Sequence, residues 1–246
     1  MASDLDKEKL LAAEAAVARV QPGMSLALGT GSTAGFAVRL IAEKFPGGRN
    51  IDAVASSQAT ERYAKELGLA VRPLAEHDHF DLMIDGADEV TPALDLTKGG
   101  GAALFREKFL ARLSGELTVI VDHTKLVPHL ATRSAIPIEV VPYARPVLAR
   151  MLRDRRFASA LRMDGERGAP RLTDNGNEIL DLSPPDTVTD PAGLDAQLRS
   201  LPGVIETGIF AGMARRVFVG LPDGTVQEIV GAVHKGPKSP LSTTTR

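Results

Sequence analysis

The segment MSLALGTGSTAGFAVRLIAEKF (Met24–Phe45) decides the fold. Its first residues, MSLALG, are apolar and predict a short strand that runs into the glycine-rich turn GTGSTAG. FAVRLIAEKF then predicts a helix that ends at PGG. The same order recurs, with strands predicted at IDAVASS, FDLMID and LTVIVD, and helices predicted at ATERYAKELG and after KGGG. Apolar strands that alternate with helices are typical of a parallel sheet covered on both faces.

The pattern changes after about Ile136. The next segments predict the order β-α-β-β-α-β, and they are IPIEVVP, ARPVLARMLRDR, ASALRMD, RLTDNGNEILDL, PAGLDAQLRSL and GVIETGIF. This order is the split βαβ, ferredoxin-like pattern of a small α+β domain, and DNGN is a candidate hairpin turn within it. RRVFVGL and VQEIV predict strands that return to the first domain.

We therefore predict an α/β protein with two domains. The mostly parallel sheet domain takes residues 1–131 and 209–232, and the small α+β domain takes residues 132–208. Residues 233–246 are polar and contain proline, so a flexible tail is expected there.

Composition excludes several classes of function. The 246 residues carry 29 basic and 31 acidic side chains, so no overall basic field favours nucleic acid or a membrane surface. The chain has no cysteine, which excludes disulfides, thiolate metal sites and a cysteine nucleophile and fits a cytoplasmic location. No signal peptide and no membrane-spanning apolar run are predicted.

The glycine-rich turn is a candidate phosphate site. It directs backbone N–H groups and the positive end of a helix at one point, and Thr30, Ser32 and Thr33 add hydroxyl donors. No Gly-Lys-Ser/Thr follows, as a Walker A motif requires, and the third glycine comes one residue late for G-x-G-x-x-G. We favour a phosphate site, and a tight turn that only caps the helix is the alternative.

The segment FDLMIDGADEV (Phe80–Val90) brings two carboxylates to the end of a strand. Asp85 ends the strand and Asp88 follows three residues later. Paired carboxylates can move protons, bind sugar hydroxyls or bind a divalent metal. For this segment alone, a loop in which aspartate caps backbone amides is the favoured alternative. His77 and His79 precede the strand, so we expect surface residues at the opposite end of the sheet.

The segment TKGGGAALFREKFLARL (Thr97–Leu113) predicts a buried glutamate. From Ala102 onward the predicted helix is apolar on nearly every side, which indicates burial. The residues three and four positions from Glu107 are all apolar, so no helical ion-pair partner is available. Loss of solvation should raise the pKa of this carboxylate and make it a better base near neutral pH. The alternative is a first-turn glutamate that only complements the helix dipole.

The glycines and two lysines favour a functional site. The three glycines, Gly99–Gly101, allow close backbone approach, and their N–H groups are candidates for an anion nest. Lys98 stands beside them, and Lys125 follows the strand LTVIVD. Three predicted strands end at one rim, which would carry anion donors, two carboxylates, two lysines and a desolvated glutamate. This combination predicts proton-transfer chemistry on a small phosphorylated sugar or polyol.

The motifs GTGSTA, DGADEV, KGGGAALFREK, DHTKLV and TDNGNEILD, in this order, resemble those of the type A ribose-5-phosphate isomerase family. The resemblance runs from about Lys9 to about Val230. It implies a Rossmann-like domain that carries a small α+β domain, a homodimer or homotetramer, no cofactor and no metal. It also implies interconversion of ribose 5-phosphate and ribulose 5-phosphate, in the cytoplasm, within the non-oxidative pentose phosphate pathway.

The resemblance also implies roles for individual residues. Glu107 resembles the general base, with Asp85 and Lys98 as further catalytic residues. The residues that resemble substrate-binding positions are Thr30, Gly31, Ser32, Thr33, Asp85, Gly86, Ala87, Asp88, Lys98, Gly99, Gly100, Gly101 and Lys125.

Two alternatives of related architecture stay open at this point. One is a sugar-phosphate-binding regulatory domain, for which the first 20 residues are too short to supply a DNA-binding segment. The other is a sugar-phosphate deaminase or coenzyme A transferase, which the KGGGAA and DGADE motifs fit less well.

Overall fold

The computed structural model of the chain describes residues 3–165 and 168–231. The α-helices in these residues are α1 (Asp4–Ala18), α2 (Ser32–Lys44), α3 (Gln58–Glu66), α4 (Leu104–Leu113), α5 (Arg145–Asp154) and α6 (Pro191–Arg199). The strands are β1 (Ser25–Leu28), β2 (Asp52–Ala55), β3 (Leu82–Asp85), β4 (Glu89–Val90), β5 (Leu96–Thr97), β6 (Leu117–Asp122), β7 (Ile136–Val140), β8 (Ala158–Leu161), β9 (Met163–Asp164), β10 (Ala169–Pro170), β11 (Glu178–Ser183), β12 (Val204–Thr207), β13 (Ile209–Phe210), β14 (Ala214–Gly220) and β15 (Val226–Val230). Short 3₁₀ helices in the same residues cover Pro46–Gly48, Leu74–Glu76 and His123–Lys125.

The large sheet has six strands in the order β15-β14-β6-β3-β1-β2. All neighbours are parallel except β15, which runs antiparallel to β14. Successive residues of β1 pack into the apolar cores on opposite faces of the sheet. Leu26 and Leu28 pack with α1 and α2, whereas Ala27 packs with α4 on the other face. Because both faces are covered, the strands are apolar throughout, and the predicted mostly parallel sheet is confirmed.

The small sheet has four antiparallel strands in the order β12-β7-β11-β8. Leu148 and Leu152 of α5 and Leu198 of α6 share one apolar core with Ile138 and Leu180 of the sheet. The predicted β-α-β-β-α-β order is therefore confirmed. Two smaller elements were not predicted: the β9/β10 hairpin and a three-stranded sheet of order β13-β5-β4.

The segment GVIETGIF, predicted as one strand, is divided at Gly208. The chain leaves the small sheet there and pairs with β5 of the three-stranded sheet. A Cβ atom at this position would lie 2.2 Å from the carbonyl oxygen of Lys98, so only glycine allows the two backbones to approach. The predicted domain boundary falls at this crossing, and the division into domains stays a prediction.

Helix α4 differs from its prediction at its start and on one face. It begins at Leu104 rather than Ala102, because Ala102 has a positive φ of 64° and is not helical. Phe109 is 44% exposed and stacks on Phe105, so one face of the helix meets solvent. The expectation that this helix is buried on nearly every side is therefore wrong for that face.

Two further predictions concern membrane-spanning helices and the C-terminal tail. No helix among residues 3–165 and 168–231 is long and apolar enough to cross a membrane. The tail predicted at 233–246, with residue 232 of the large domain, lies outside the described residues.

Candidate active site

The site lies where three neighbouring parallel strands end. β6, β3 and β1 are adjacent in the sheet, and they end at Asp122, Asp85 and Leu28. A cleft of about 190 Å³ opens at this rim. It is lined by Leu5, Lys9, Thr30, Gly31, Ser32, Thr33, Gly86, Ala87, Asp88, Lys98, Gly99, Gly100, Gly101, Glu107, Asp122, Thr124 and Lys125. The structure thus brings every predicted site residue except Asp85 to one cleft.

Asp85 lies behind the wall of this cleft and has no exposed surface. Its Oδ1 accepts hydrogen bonds from the N–H groups of Thr30 (3.1 Å) and Gly86 (2.7 Å). A Cβ atom on Gly29 would lie 2.1 Å from the same oxygen, so glycine is required there. Burial raises the pKa of Asp85, and the nearby Lys98 ammonium opposes this. The carboxylate therefore holds the glycine-rich turn by accepting from backbone amides, which is the alternative considered for this segment. Its role as a direct substrate contact stays a prediction.

Lys98 connects the two buried carboxylates. Its Nζ lies 2.8 Å from Oδ2 of Asp85 and 3.3 Å from Oε2 of Glu107, and it donates to the carbonyl of Gly86 at 2.7 Å. Its backbone N–H donates to the carbonyl of Gly208, which fixes the residue after β5. Burial alone would lower the pKa of Lys98, but the two carboxylates outweigh it and raise that pKa. The ammonium thus stays charged throughout the neutral range.

Glu107 lies in the first turn of α4 and is only 2% exposed. Burial raises its pKa to about 8; Lys98 opposes this, and the negative charge of Asp85 adds to it. The predicted rise of this pKa is therefore confirmed. The sequence did not reveal the ion pair with Lys98, since that partner comes from outside the helix.

The glycine loop, defined here as Lys98–Gly101, differs in detail from the predicted anion nest. The N–H of Gly100 donates to Oδ2 of Asp88 at 2.9 Å, so it is already engaged. A Cβ atom on Gly100 would lie 2.7 Å from the other oxygen of that carboxylate. No described residue accepts from the N–H of Gly101, which lines the cleft. One N–H of the three is therefore occupied, and that of Gly101 is available.

The start of α2 supplies the other group of free donors. The helix has no side-chain cap, and the N–H groups of Ser32 and Thr33 have no acceptor within the described part of the chain. The hydroxyl of Thr30, a predicted donor to the ligand, already has partners within the protein, and its role in binding stays a prediction. It lies within hydrogen-bonding distance of the hydroxyls of Ser56 (2.7 Å) and Ser57 (2.9 Å), and its N–H is engaged by Asp85.

Besides Lys98, two lysines line the cleft with this donor group: Lys125, which was predicted, and Lys9, which was not. Lys9 of α1 also lines the cleft, with Nζ 3.3 Å from Oδ1 of Asp6. The helix is fixed next to the end of β6 by Glu8, whose Oε2 lies 2.6 Å from Nδ1 of His123. No local pattern predicts that a residue 20 positions before the glycine-rich turn lines the same cleft, because its approach depends on how α1 packs.

The cleft therefore combines a buried carboxylate of raised pKa, a buried ammonium and free main-chain donors. Residues 52–224 match the family model of ribose 5-phosphate isomerase A (phosphoriboisomerase A). The chain belongs to the ribose 5-phosphate isomerase A family. The resemblance drawn from the motifs is confirmed.

Relatives of the ribose 5-phosphate isomerase A family match over nearly the whole chain. Ribose-5-phosphate isomerase A of Chloroflexus aurantiacus is 46% identical over 221 residues, which cover 89% of this chain and 92% of the relative. A solved structure of a D-ribose-5-phosphate isomerase in complex with phospho-erythronic acid is 37% identical, with a TM-score of 0.88 and 92% and 99% of the two chains covered. Ribose 5-phosphate isomerase A from Methanocaldococcus jannaschii is 33% identical, with a TM-score of 0.85 and 90% and 97% covered.

This member of the ribose 5-phosphate isomerase A family has a buried lysine that the sequence analysis missed. Lys108 lies 2.8 Å from Oε1 of Glu206 and 3.1 Å from Oδ1 of Asp195, and burial lowers its pKa. The ring of Phe210 lies 5.1 Å from its Nζ and 5.5 Å from that of Lys98. The cluster joins α4, and with it Glu107, to the small sheet and α6. Its acidic partners lie far along the chain, so no local pattern indicates it.

Of the two histidines before β3, both predicted to lie at the surface, only one is exposed to solvent. The side chain of His77 is 7% exposed and packs 5.3 Å from the ring of Phe80, so it is not the surface residue expected. His79 is exposed, as predicted. No group of three or more potential metal ligands occurs among residues 3–165 and 168–231.

Proposed function

We propose that the chain interconverts D-ribose 5-phosphate and D-ribulose 5-phosphate through an enediolate. One observation carries this proposal: Glu107 is buried beside Lys98 and lines the same cleft as the free donors of α2. A carboxylate with a pKa of about 8 is a competent base for a carbon-bound proton near neutral pH. The family of the chain is the second line of support.

The proton transfer follows from this geometry. In the open-chain aldose, ionised Glu107 takes the proton from C2. The C–H electrons form a C1=C2 double bond and the carbonyl π electrons move to the oxygen on C1, which gives the enediolate. Glu107 then returns the proton to C1, and the proton on the C2 oxygen moves to the C1 oxygen, which gives the ketose. Lys98 and the N–H of Gly101 stabilise the developing oxyanion, and such preorganised donors contribute roughly 3 kcal/mol each. We assign proton movement among sugar oxygens to Asp88, with Asp85 acting through Lys98.

The phosphate end of the substrate fits the other part of the cleft. The N–H groups of Ser32 and Thr33 are free and lie at the positive end of α2. Lys9 and Lys125 add two positive charges to the same cleft. Binding energy at the phosphate then positions C1 and C2 next to Glu107.

The bound compound in a related structure agrees with this reaction. That D-ribose-5-phosphate isomerase was solved with phospho-erythronic acid. A carboxylic acid of this kind ionises to a planar anion, and the enediolate is also planar and anionic. A site that stabilises the enediolate should therefore bind such a compound tightly.

The proposal also covers the cellular location, the pathway, the oligomeric state and the need for a cofactor. We expect the protein to act in the cytoplasm, in the non-oxidative pentose phosphate pathway, as a homodimer or homotetramer. We also expect it to need no cofactor and no metal, which the assay below tests by including a chelator.

The test is a direct assay of the purified protein with ribose 5-phosphate in the presence of EDTA. We expect the ketose to appear far faster than without enzyme, and unphosphorylated ribose to react much more slowly. Ammonia release from an amino sugar phosphate is the control for deaminase activity. If ribose 5-phosphate is bound but no ketose forms, the protein is a binding domain and the proposal is wrong.

A further inference from the structure

Arg162 connects the small sheet to the glycine loop. It directly follows β8, and its Nη1 donates to the carbonyl oxygens of Gly99 at 2.6 Å and Gly100 at 3.2 Å. These are two of the loop's four carbonyls, and the peptide of the second one carries the N–H of Gly101, the candidate oxyanion donor. An arginine from a different sheet therefore contacts the backbone of the proposed site without lining its cleft.

The guanidinium of Arg162 is held rigidly. Its Nε donates to Oδ2 of Asp181 at 2.9 Å, and its Nη2 donates to Oδ1 of the same carboxylate. Asp181 lies on β11, the strand next to β8, and the backbone N–H of Arg162 continues that ladder by donating to Ile179. A bidentate pair of this kind fixes both the position and the plane of the guanidinium. The remaining donor, Nη1, is thereby aimed at the glycine loop.

Peptide geometry links these contacts to the loop N–H groups. In a planar trans peptide, the C=O and the following N–H point in opposite directions. The carbonyl of Gly99 shares its peptide with the N–H of Gly100, which donates to Asp88 on the far side. The carbonyl of Gly100 shares its peptide with the N–H of Gly101, so the bond from Arg162 directs that N–H away from the small sheet.

The N–H of Ala102 donates to the carbonyl of Gly99 at 3.0 Å and closes a turn, but turns of types I and II differ by a flip of the central peptide, which here joins Gly100 and Gly101. Without the contact from Arg162, this turn bond alone does not fix the orientation of that peptide. Glycine has wide conformational freedom, and Gly99 already adopts a positive φ of 110°. Gly100 and Gly101 are exposed, so packing restrains them little. The N–H of Gly101 has no acceptor among the described residues that would orient it.

We propose that Arg162, held by Asp181, is a positioning residue that orients the Gly100–Gly101 peptide so that its N–H stabilises the enediolate oxyanion. The inference rests on the proposed isomerase function, because it names a donor for that reaction's intermediate. The small sheet thus contributes to the reaction through Arg162, in addition to supporting α4.

The test compares Arg162→Met with the wild type in three measurements. Because the donor acts on charge that develops in the transition state, kcat should fall about tenfold or more while KM changes less than about threefold. The Kd of phospho-erythronic acid should rise about tenfold, since we expect its carboxylate to take the place of the enediolate oxyanion. The Kd of inorganic phosphate should change less than about twofold, because the phosphate donors lie on α2. Arg162→Lys should recover part of kcat, since an ammonium can donate to one carbonyl.

Arg145→Met is the matched control. Arg145 is the first residue of α5, which packs on the small sheet. It also forms an ion pair, with its Nε 2.6 Å from Oε2 of Glu178, but it does not contact the glycine loop. All three measurements should stay at the wild-type values. If Arg162→Met does not fold, as judged by circular dichroism, Asp181→Asn decides the question, with a smaller fall in kcat expected and an unchanged kcat contradicting the proposal.

The outcomes separate the inference from the proposed function. If the wild type isomerises ribose 5-phosphate and Arg162→Met retains its kcat, the inference is wrong and the function stands. A parallel loss of phosphate affinity in Arg162→Met would also overturn it, because that points to general distortion of the cleft. If the wild type does not isomerise, the proposed function fails and the inference fails with it.

Discussion

Nζ of Lys98 lies 3.3 Å from Oε2 of Glu107, and each side chain is 3% exposed. This pair places a base and a stabilising cation side by side in a site from which water is largely excluded. Burial disfavours the charged form of Glu107 more than Lys98 restores it, so the pKa of the carboxylate rises to about 8. In the reaction we propose, this carboxylate accepts the carbon-bound proton and the ammonium stabilises the charge that develops on oxygen.

The raised pKa of Glu107 predicts an acid limb in the pH profile. Only the ionised carboxylate accepts a proton, so kcat/KM should rise with pH through an apparent pKa of about 8 and level off above it. Lys98 should add no alkaline limb there, since its pKa is raised further. The measurement is kcat/KM for ribose 5-phosphate as a function of pH at constant ionic strength. A profile that is flat across this range would contradict the prediction.

The same pKa shift predicts how stability depends on pH. The folded-state pKa lies above the ordinary glutamate value of 4.5, so the stability linked to Glu107 is fully present below pH 4.5 and is lost as pH rises through about 8. Glu107→Gln cannot ionise and avoids this loss. The unfolding free energy of the variant relative to the wild type should therefore be greater at about pH 9 than at about pH 6, by about 3 kcal/mol. Urea unfolding at the two pH values measures it, and an equal difference at both would refute it.

Asp85 is expected to be a major determinant of stability as well as of the site. Asp85→Asn removes the charge 2.8 Å from the buried Lys98, and breaking such a pair costs about 3 kcal/mol of unfolding free energy. Asp52→Asn is the control, because Asp52 pairs with Arg72 at 3.0 Å where both side chains are more than one third exposed, and its loss should cost less than about 1 kcal/mol. Urea unfolding of both variants tests the difference. Equal small losses would mean that the buried pair contributes little.

Lys9 is expected to bind the substrate phosphate. Lys9→Ala should raise KM for ribose 5-phosphate about tenfold and leave kcat within about threefold, because a contact far from C1 and C2 acts equally on the ground and transition states. Lys7→Ala is the control on the same helix, since Lys7 is exposed and pairs with Asp4. Steady-state kinetics distinguish the two variants. If both behave like the wild type, Lys9 does not contact the phosphate.

Much of the site was predictable because parallel strands bring their carboxyl ends to one edge. That rule predicts the glycine-rich turn, Asp88 and Lys125 around one cleft, where the structure has them. The burial of Glu107 was predictable from its apolar helical neighbours, and its raised pKa followed from burial.

The rest depended on contacts between residues far apart in the chain. Lys9 reaches the cleft because α1 packs against the sheet, and Lys108 is buried because Asp195 and Glu206 come from α6 and β12. Arg162 approaches the glycine loop from a separate sheet. None of these positions carries a local signal, because the partner that gives each side chain its role is set by tertiary packing.

The central claim is that Glu107 removes the proton from C2 of the sugar. The most direct measurement is exchange of the C2 hydrogen of ribose 5-phosphate with solvent deuterium, monitored by proton NMR. It compares the wild type, Glu107→Gln and the control Glu61→Gln, whose wild-type side chain on α3 is 43% exposed. We predict that the wild type and Glu61→Gln exchange this hydrogen and form ketose. We predict that Glu107→Gln loses both by about a thousandfold while its affinity for sugar phosphate stays within about tenfold. Exchange at a near-normal rate in Glu107→Gln would contradict the assignment of the base.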